Sequence, residues 1–317
     1  MKVVLWPNLA KVELLEYFGK MAGVDLAVVE GLDSLIPAIA EAEVLVIGQN
    51  SYDRRVAGAI RDHGKRLRFV QLLTAGYDGP QNHGVPPGVV VSNAGDSWSP
   101  ALAELVMALM LSLVKCMPQV LENHAKHGWD RKFTARMDGF DGKTMAIIGY
   151  GSIGREVARR ASAFGMHIIG VSRTAKSKPL ADEVQPVSEL QAVLARADVI
   201  VLTAPLTAET KHLINARALA ACRKNAVLIN VARGGLIDQA ALGEALKNGT
   251  IAAAGLDVTD PEPLPPDNPL WGSPNLIISP HIAGVSGAGG RVRLAAFIAE
   301  NVGRFMAGEA VTHTISL

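Results

Sequence analysis

Met145-Ala146-Ile147-Ile148-Gly149-Tyr150-Gly151-Ser152-Ile153-Gly154 is a short apolar run that passes into a GxGxxG turn, and a helical pattern follows it to near Gly165. The glycine spacing alone is a weak signal. Placed between a strand and a helix, it marks a dinucleotide-binding turn. Gly149 permits the tight turn, Gly151 lets the backbone approach a pyrophosphate, and Gly154 lets helix and strand pack closely. The helix start supplies N–H groups and the positive end of the dipole to the phosphates. The competing reading is an ordinary glycine-rich turn.

The next apolar run ends in Ser172-Arg173-Thr174, with Lys176 and Lys178 beyond, and no acid occurs between Glu156 and Asp182. A carboxylate at this place accepts hydrogen bonds from the ribose 2′-hydroxyl of NAD. It would repel a 2′-phosphate, which Arg173 can grip with two N–H groups and Ser172 can hold with its hydroxyl. The expectation is therefore NADP(H) as the preferred cofactor, with NAD(H) possible. A solvated basic loop with no phosphate preference is the alternative.

Outward from this turn, apolar runs rich in Val and Ile alternate with helical patterns. One series of expected strands covers residues 3–6, 26–29, 44–47, 69–73 and 89–92. A second covers 145–148, 167–171, 199–203, 227–230, 252–256 and 276–279. The runs are nearly continuous in apolar character, as parallel strands covered on both faces require. The expected fold class is α/β: two Rossmann-like domains, each with a mainly parallel sheet flanked by helices, and an active site in the interdomain cleft. The break falls in loop chemistry at 93–100, where Pro100 suits the first turn of a helix over 101–116 capped by Ser99. The small residues of 286–290 precede a last helix, 291–307. Residues 1–98 with 286–317 are thus expected to form a substrate-binding, flavodoxin-like domain, and 99–285 the dinucleotide-binding Rossmann domain.

The 317 residues are 49% hydrophobic and 19% charged, with a formal net charge of +1. That supports a sizeable core and gives no electrostatic reason to expect nucleic acid or a membrane surface as partner. Cys116 and Cys222 are far apart and form no CxxC pair, so neither a disulfide framework nor a metal site is expected, and a cytoplasmic location is. The longest apolar run, 105–114, is shorter than a membrane span and reads as a buried helix.

Three segments follow strands of the second series: Asn230-Val231-Ala232-Arg233-Gly234-Gly235, then Gly255-Leu256-Asp257 continuing to Asp260-Pro261-Glu262-Pro263-Leu264, then Ser279-Pro280-His281-Ile282-Ala283-Gly284. Ligands in such sheets bind beyond the carboxyl ends of the strands, so an Arg, a Glu and a His are expected on one rim. This order of motifs, with Thr74-Ala75-Gly76-Tyr77-Asp78 in the first series, resembles the D-isomer-specific 2-hydroxyacid dehydrogenases over almost the whole chain. Within them it is most similar to the NADP-dependent glyoxylate/hydroxypyruvate reductases.

The resemblance implies a hydride transfer between the cofactor and C2 of a small 2-keto or 2-hydroxy acid. His281 is then the general acid in reduction and the base in reverse. Glu262 fixes the His281 ring and favours its charged form. Arg233 binds the substrate carboxylate and polarises the carbonyl. Ala75, Gly76 and Tyr77 receive the carboxylate through their backbone, with Trp98 either walling the pocket or packing at the hinge. Cofactor contacts are implied for Gly149, Gly151, Ser152, Ile153, Ser172, Arg173, Thr174, Ala204, Pro205, Val231, Ala232, Asp257, His281 and Gly284. Asp257 would meet the nicotinamide carboxamide or serve as a structural acceptor. A homodimer is implied, with Trp129 reaching the partner or packing at the interface.

The chain departs from the family pattern at 96–100, which opens the question of substrate size, and at Thr203-Ala204-Pro205, which lacks a His before the proline. His83, His124, His127 and His212 have no recognisable partners. Two other readings stay open: a reductase of bulkier acids such as phenylpyruvate, and a non-catalytic dinucleotide-sensing protein on the same fold.

Overall fold

Continuous apolar runs fold as parallel strands here because only such strands bury both faces. In the computed structural model, which describes residues 1–174 and 176–317, every ladder between named strands is parallel. The chain first forms β1 (Lys2–Trp6), α1 (Lys11–Phe18), β2 (Asp25–Val28), α2 (Leu32–Ile39), β3 (Val44–Ile47), α3 (Arg54–His63), β4 (Phe69–Leu72), α4 (Asp78–His83) and β5 (Val90–Ser92). These strands make one sheet in the order β2-β1-β3-β4-β5.

Two helices follow, α5 (Ser99–Val114) and α6 (Met117–Ala125), and then β6 (Thr144–Ile148), α7 (Ser152–Ser162), β7 (His167–Ser172), β8 (Glu183–Pro186) and α8 (Leu190–Leu194). The series ends with β9 (Val199–Leu202), α9 (Ala216–Ala221), β10 (Val227–Asn230), α10 (Gln239–Lys247), β11 (Ala253–Leu256) and β12 (Leu276–Ile278). Their sheet has the order β12-β11-β10-β9-β6-β7-β8. The last helix, α11 (Ala288–Met306), packs on α1 and β4. By contact density the chain divides into two units, Met1–Trp98 with Ser286–Leu317, and Ser99–Val285.

Most strand bounds differ from expectation by one residue, the usual fraying of element ends. β8 has no counterpart among the expected strands. It is a half-buried edge strand, Glu183-Val184-Gln185-Pro186, whose polar residues and terminal proline suit an edge and hide it from a search for apolar runs. The helix expected over 101–116 starts at Ser99 and stops at Val114, so Ser99 is its first residue rather than a flanking cap. The chain then turns through Cys116, which adopts the left-handed conformation at φ 51°. α5 packs along α7 and β10, which explains its run of buried apolar residues. Among the described residues no single helix is long and apolar enough to cross a membrane. The α5–α6 pair would pass only on length and composition, and it is bent by 67°.

In the first unit a buried polar network ties α11 and the tail to the sheet. Asn301, 1% exposed, donates through Nδ2 to Gln71 Oε1 at 2.8 Å, to Ser92 Oγ at 3.0 Å and to the Thr312 carbonyl at 3.1 Å. Its Oδ1 accepts from the Thr312 amide at 2.8 Å. The tail adds a bridge, Ser92 to Thr314, beside β5. Asn301→Ala strands several buried partners at once. It should lower the free energy of unfolding by about 2–3 kcal/mol. Denaturant unfolding of wild type and variant checks this; a change within error would show that the network carries no stability.

Candidate active site

The sheet of the second unit reverses its strand order at β6. The chain goes from β6 to β7 and β8 on one side, then crosses to β9 and continues outward on the other. The loops after β6 and β9 therefore leave in opposite directions, and a crevice opens between them at the carboxyl edge, the usual place of ligands in such sheets. Gly149 directly follows β6 at φ 97°, and a Cβ on it would lie 2.4 Å from the Ala204 amide nitrogen in the loop after β9. The glycine thus makes the turn and also allows the two loops to touch. Thr203 Oγ1 donates to the Gly149 carbonyl at 2.8 Å and joins them further.

The residues here fit a dinucleotide. Nothing crowds Gly151, where the nearest atom to an added Cβ is 4.0 Å away. Gly151 also caps α7 and offers no side chain to the first-turn N–H groups. Those groups remain available to an anion. Ser152 and Ile153 form the first turn. At the end of β7 the Ser172 hydroxyl is buried and has no hydrogen-bond partner among the described residues, while Arg173 and Thr174 beside it are exposed. A buried hydroxyl without a partner is costly unless a ligand supplies one. Pro205 is exposed, Val231 and Ala232 are buried, and Gly284 is partly exposed; all lie in loops after β9, β10 and β12.

Asn230 ends β10, fully buried. It accepts from the Ala232 amide at 3.0 Å and donates to the Arg233 carbonyl at 2.8 Å, which fixes the turn that carries Arg233. One guanidinium nitrogen, Nη1, donates to the Ala232 carbonyl at 2.6 Å and orients the fork. The next residue, Gly234, packs so closely on Thr259 that an added Cβ would lie 2.0 Å from its carbonyl carbon. That contact draws the loop with Arg233 against the one with Glu262.

Asp257 directly follows β11 at 1% exposure, and both its oxygens are engaged. Oδ1 accepts from Ser279 Oγ at 2.6 Å and the Ile282 amide at 2.9 Å, and Oδ2 accepts from the Ala283 amide at 2.8 Å. Its carbonyl accepts the His281 amide at 2.8 Å. Of the two roles expected for Asp257, these contacts display the structural acceptor: it ties down the loop that carries His281. His281 itself adopts the left-handed conformation at φ 53°. That is uncommon for a side-chain-bearing residue, and here the surrounding hydrogen bonds hold it.

His281 Nδ1 lies 2.8 Å from Glu262 Oε2, and Glu262 Oε1 accepts the Thr259 amide at 3.1 Å. The Glu262 hydrogen bond raises the His281 pKa above its ordinary value, against burial and the nearby Arg233 charge. Burial opposes ionisation of Glu262, yet the His281 contact, the Thr259 amide and the Arg233 charge hold its carboxyl below the usual range. The pair is therefore a charged imidazolium–carboxylate pair over a wider pH range than either group alone would give. Arg233, Glu262 and His281 share one electrostatic neighbourhood.

In the first unit, the loop after β4 is held by its carbonyls. Leu73 O accepts the Trp98 indole N–H at 2.9 Å, Thr74 O accepts the Ala94 amide at 2.9 Å, and Ala75 O accepts Asn93 Nδ2 at 2.8 Å. Gly76 O accepts Thr74 Oγ1 at 3.0 Å, and the Asp78 amide donates to Gln49 Oε1 at 2.9 Å. Among the described residues the N–H groups of Ala75, Gly76 and Tyr77 donate to no acceptor, and all three residues are partly exposed. Successive free amides of this kind suit an anion. Trp98 is 6% exposed and commits its N–H to the loop, so packing is the role its contacts display. Sequence reading missed Asn93 and Gln49 as supports of this loop. Asn93 sits in recognisable turn chemistry, but Gln49 carries no local signal.

A family profile described as "D-isomer specific 2-hydroxyacid dehydrogenase, NAD binding domain" matches residues 107–283. A D-3-phosphoglycerate dehydrogenase of Methanocaldococcus jannaschii is 36% identical over 311 residues. The match takes in 96% of this chain but only 57% of that protein's length. A glyoxylate reductase of Thermococcus gammatolerans is 36% identical over 285 residues, covering 87% of this chain and 83% of that one. A solved structure of a D-isomer specific 2-hydroxyacid dehydrogenase from Xanthobacter autotrophicus Py2, in complex with NADPH and MES, superposes with a TM-score of 0.83. It is 27% identical, with 99% and 98% of the two chains covered.

The geometry of the pair makes a direct prediction. Glu262→Gln removes the main influence that raises His281 and leaves burial and Arg233, which lower it, with Asp257 the remaining charge that raises it. The titration midpoint of the His281 ring, read by NMR of its carbon-bound protons, should fall relative to wild type. An unchanged midpoint would show that Glu262 does not set the charge of His281.

Proposed function

The chain belongs to the D-isomer specific 2-hydroxyacid dehydrogenases, and from that premise we propose that it transfers a hydride between NADP(H) and C2 of a small 2-keto or 2-hydroxy acid, reducing glyoxylate or hydroxypyruvate. The observation that carries the reading is His281 held against Glu262 at 2.8 Å, with Arg233 close enough to bear on both charges. A protein that only sensed a dinucleotide would have no use for a raised general acid beside a cationic fork.

The nicotinamide supplies the hydride when bound. The chain supplies the rest. Nδ1 of His281 is committed to Glu262, so the proton that reaches the substrate oxygen is the one on Nε2. Glu262 keeps that ring charged in the direction of reduction and steadies it after the proton leaves. Arg233 neutralises the carboxylate and draws electron density from the carbonyl. In the first unit, the free amides of Ala75, Gly76 and Tyr77 suit an anionic group. In the reverse direction neutral His281 takes the hydroxyl proton, so reduction is favoured below its raised pKa and oxidation above it.

NADP over NAD is supported by the buried Ser172 hydroxyl, which has no partner among the described residues, beside exposed Arg173, with no acid in the described part of that loop before Asp182. The NADPH complex of the Xanthobacter relative agrees with this choice. Two further readings complete the proposal. Met117, Leu121, Trp129 and Met137 expose apolar surface on α6 and the segment after it, which suits a second copy of the chain in a homodimer. Both cysteines are free, in keeping with a cytoplasmic enzyme.

Kinetics test the chemistry. His281→Gln should bind NADPH normally but slow single-turnover reduction roughly 10²–10⁴-fold, the usual worth of general acid catalysis. Arg233→Ala should damage both KM for the keto acid and kcat, because its contact serves ground state and transition state. Near-native turnover in His281→Gln, with hydride transfer rate-limiting, would contradict the assignment. Arg173→Ala tests the cofactor: the KM for NADPH should rise roughly tenfold or more, the worth of a charged contact, while that for NADH changes little. Equal effects would remove Arg173 from the 2′-phosphate site.

A further inference from the structure

Tyr150 stands between the first two glycines of the phosphate loop, yet its side chain is turned inward and is 1% exposed. Gly170 in β7 makes the room: a Cβ there would lie 2.8 Å from two atoms of the Tyr150 side chain. The ring therefore packs directly on the β7 backbone, two residues before Ser172. Its hydroxyl donates to the Pro179 carbonyl at 2.9 Å, and its own carbonyl accepts Lys178 Nζ at 3.0 Å. Two successive residues of the connection after β7 are thus fastened to one residue of the phosphate loop. The same connection begins with Ser172, Arg173 and Thr174. Lys178 is engaged as an anchor and is not a further cation held ready for the ribose.

We propose that Tyr150 is a specificity-positioning residue, which fixes the connection after β7 so that Ser172 and Arg173 form a pocket for the 2′-phosphate of the cofactor. The proposal rests on the NADP reading above. It also couples two subsites. The backbone at Tyr150 belongs to the loop facing the pyrophosphate, while its ring and hydroxyl hold the segment facing the ribose. An Arg on an untethered loop would spread over many rotamers and backbone states. Each must be surrendered on binding, which weakens a charged contact without removing it.

Fragments of the cofactor separate this role from a general one. Calorimetric titration with 2′,5′-ADP and with 5′-AMP reports the 2′-phosphate contribution without turnover, on wild type, Tyr150→Phe, Lys178→Met, Arg173→Ala and the double variant Tyr150→Phe/Arg173→Ala. Tyr150→Phe keeps the ring that fills the space over Gly170 and removes only the hydroxyl tie. It should weaken 2′,5′-ADP by about two- to tenfold, the span of one net hydrogen bond, and leave 5′-AMP unchanged. Lys178→Met, which removes the other tie, should show the same selective loss. In the Arg173→Ala background Tyr150→Phe should add nothing further, because a positioning residue acts only through the group it positions. The ratio of the two affinities does not depend on the fraction of protein folded, so lost stability cannot imitate the pattern. If Arg173→Ala discriminates between the fragments but Tyr150→Phe weakens both alike, or neither, the proposal is overturned while the NADP reading stands. If Arg173→Ala treats the two fragments alike, the 2′-phosphate reading fails and the role of Tyr150 fails with it.

Discussion

A buried carboxylate holds the loop of His281 in place. Asp257 is 1% exposed and accepts hydrogen bonds from Ser279, Ile282 and Ala283, while its carbonyl takes the His281 amide. A carboxyl group in such a place is tolerated only when its polar atoms find hydrogen-bond partners. The loop that supplies the donors is thereby fixed, including the left-handed backbone at His281. The imidazole is then delivered to Glu262, and the charge on the pair follows from that contact. Were the loop free, the His281–Glu262 distance would be one of many, and the raised pKa would be lost with it.

The sheet supplies the frame. Its reversal at β6 sends two loops apart at the carboxyl edge, and Gly149 lets them meet at their bases. The loops after β10, β11 and β12 then stand side by side in sheet order, so residues far apart in sequence become neighbours. Gly234 closes the distance between the Arg233 and Glu262 loops by backbone contact alone. The chemistry of the site is carried by side chains, but their spacing is set by backbone approaches that a single Cβ would prevent.

Much of this was legible in the sequence. Long apolar runs of Val and Ile announce parallel strands, and the GxGxxG turn between a strand and a helix announces the phosphate loop. Arg233, Glu262 and His281 could be placed on one rim from their motifs. What stayed hidden has physical reasons. β8 is half polar and ends in proline because it lies at an edge. Asp257 carries no sequence signal of the three donors, Ser279, Ile282 and Ala283, that it gathers from the loop of His281. The inward course of Tyr150 depends on Gly170, twenty positions away, and no local periodicity reports such a pair. Asn301, Gln71 and Ser92 form a network across long stretches of chain, each unremarked alone.

In the proposed reaction a charged His281, held by Glu262, gives its proton to the carbonyl oxygen of a small 2-keto acid as the hydride arrives. The most direct measurement is the single-turnover reduction of hydroxypyruvate by NADPH, followed by loss of nicotinamide absorbance as a function of pH, with the configuration of the product determined. The expected product is a D-configured 2-hydroxy acid, and the rate should be highest at low pH and fall through a pKa above about 6.5, the ordinary value for histidine. No turnover, or a rate that rises as the imidazolium loses its proton, would contradict it.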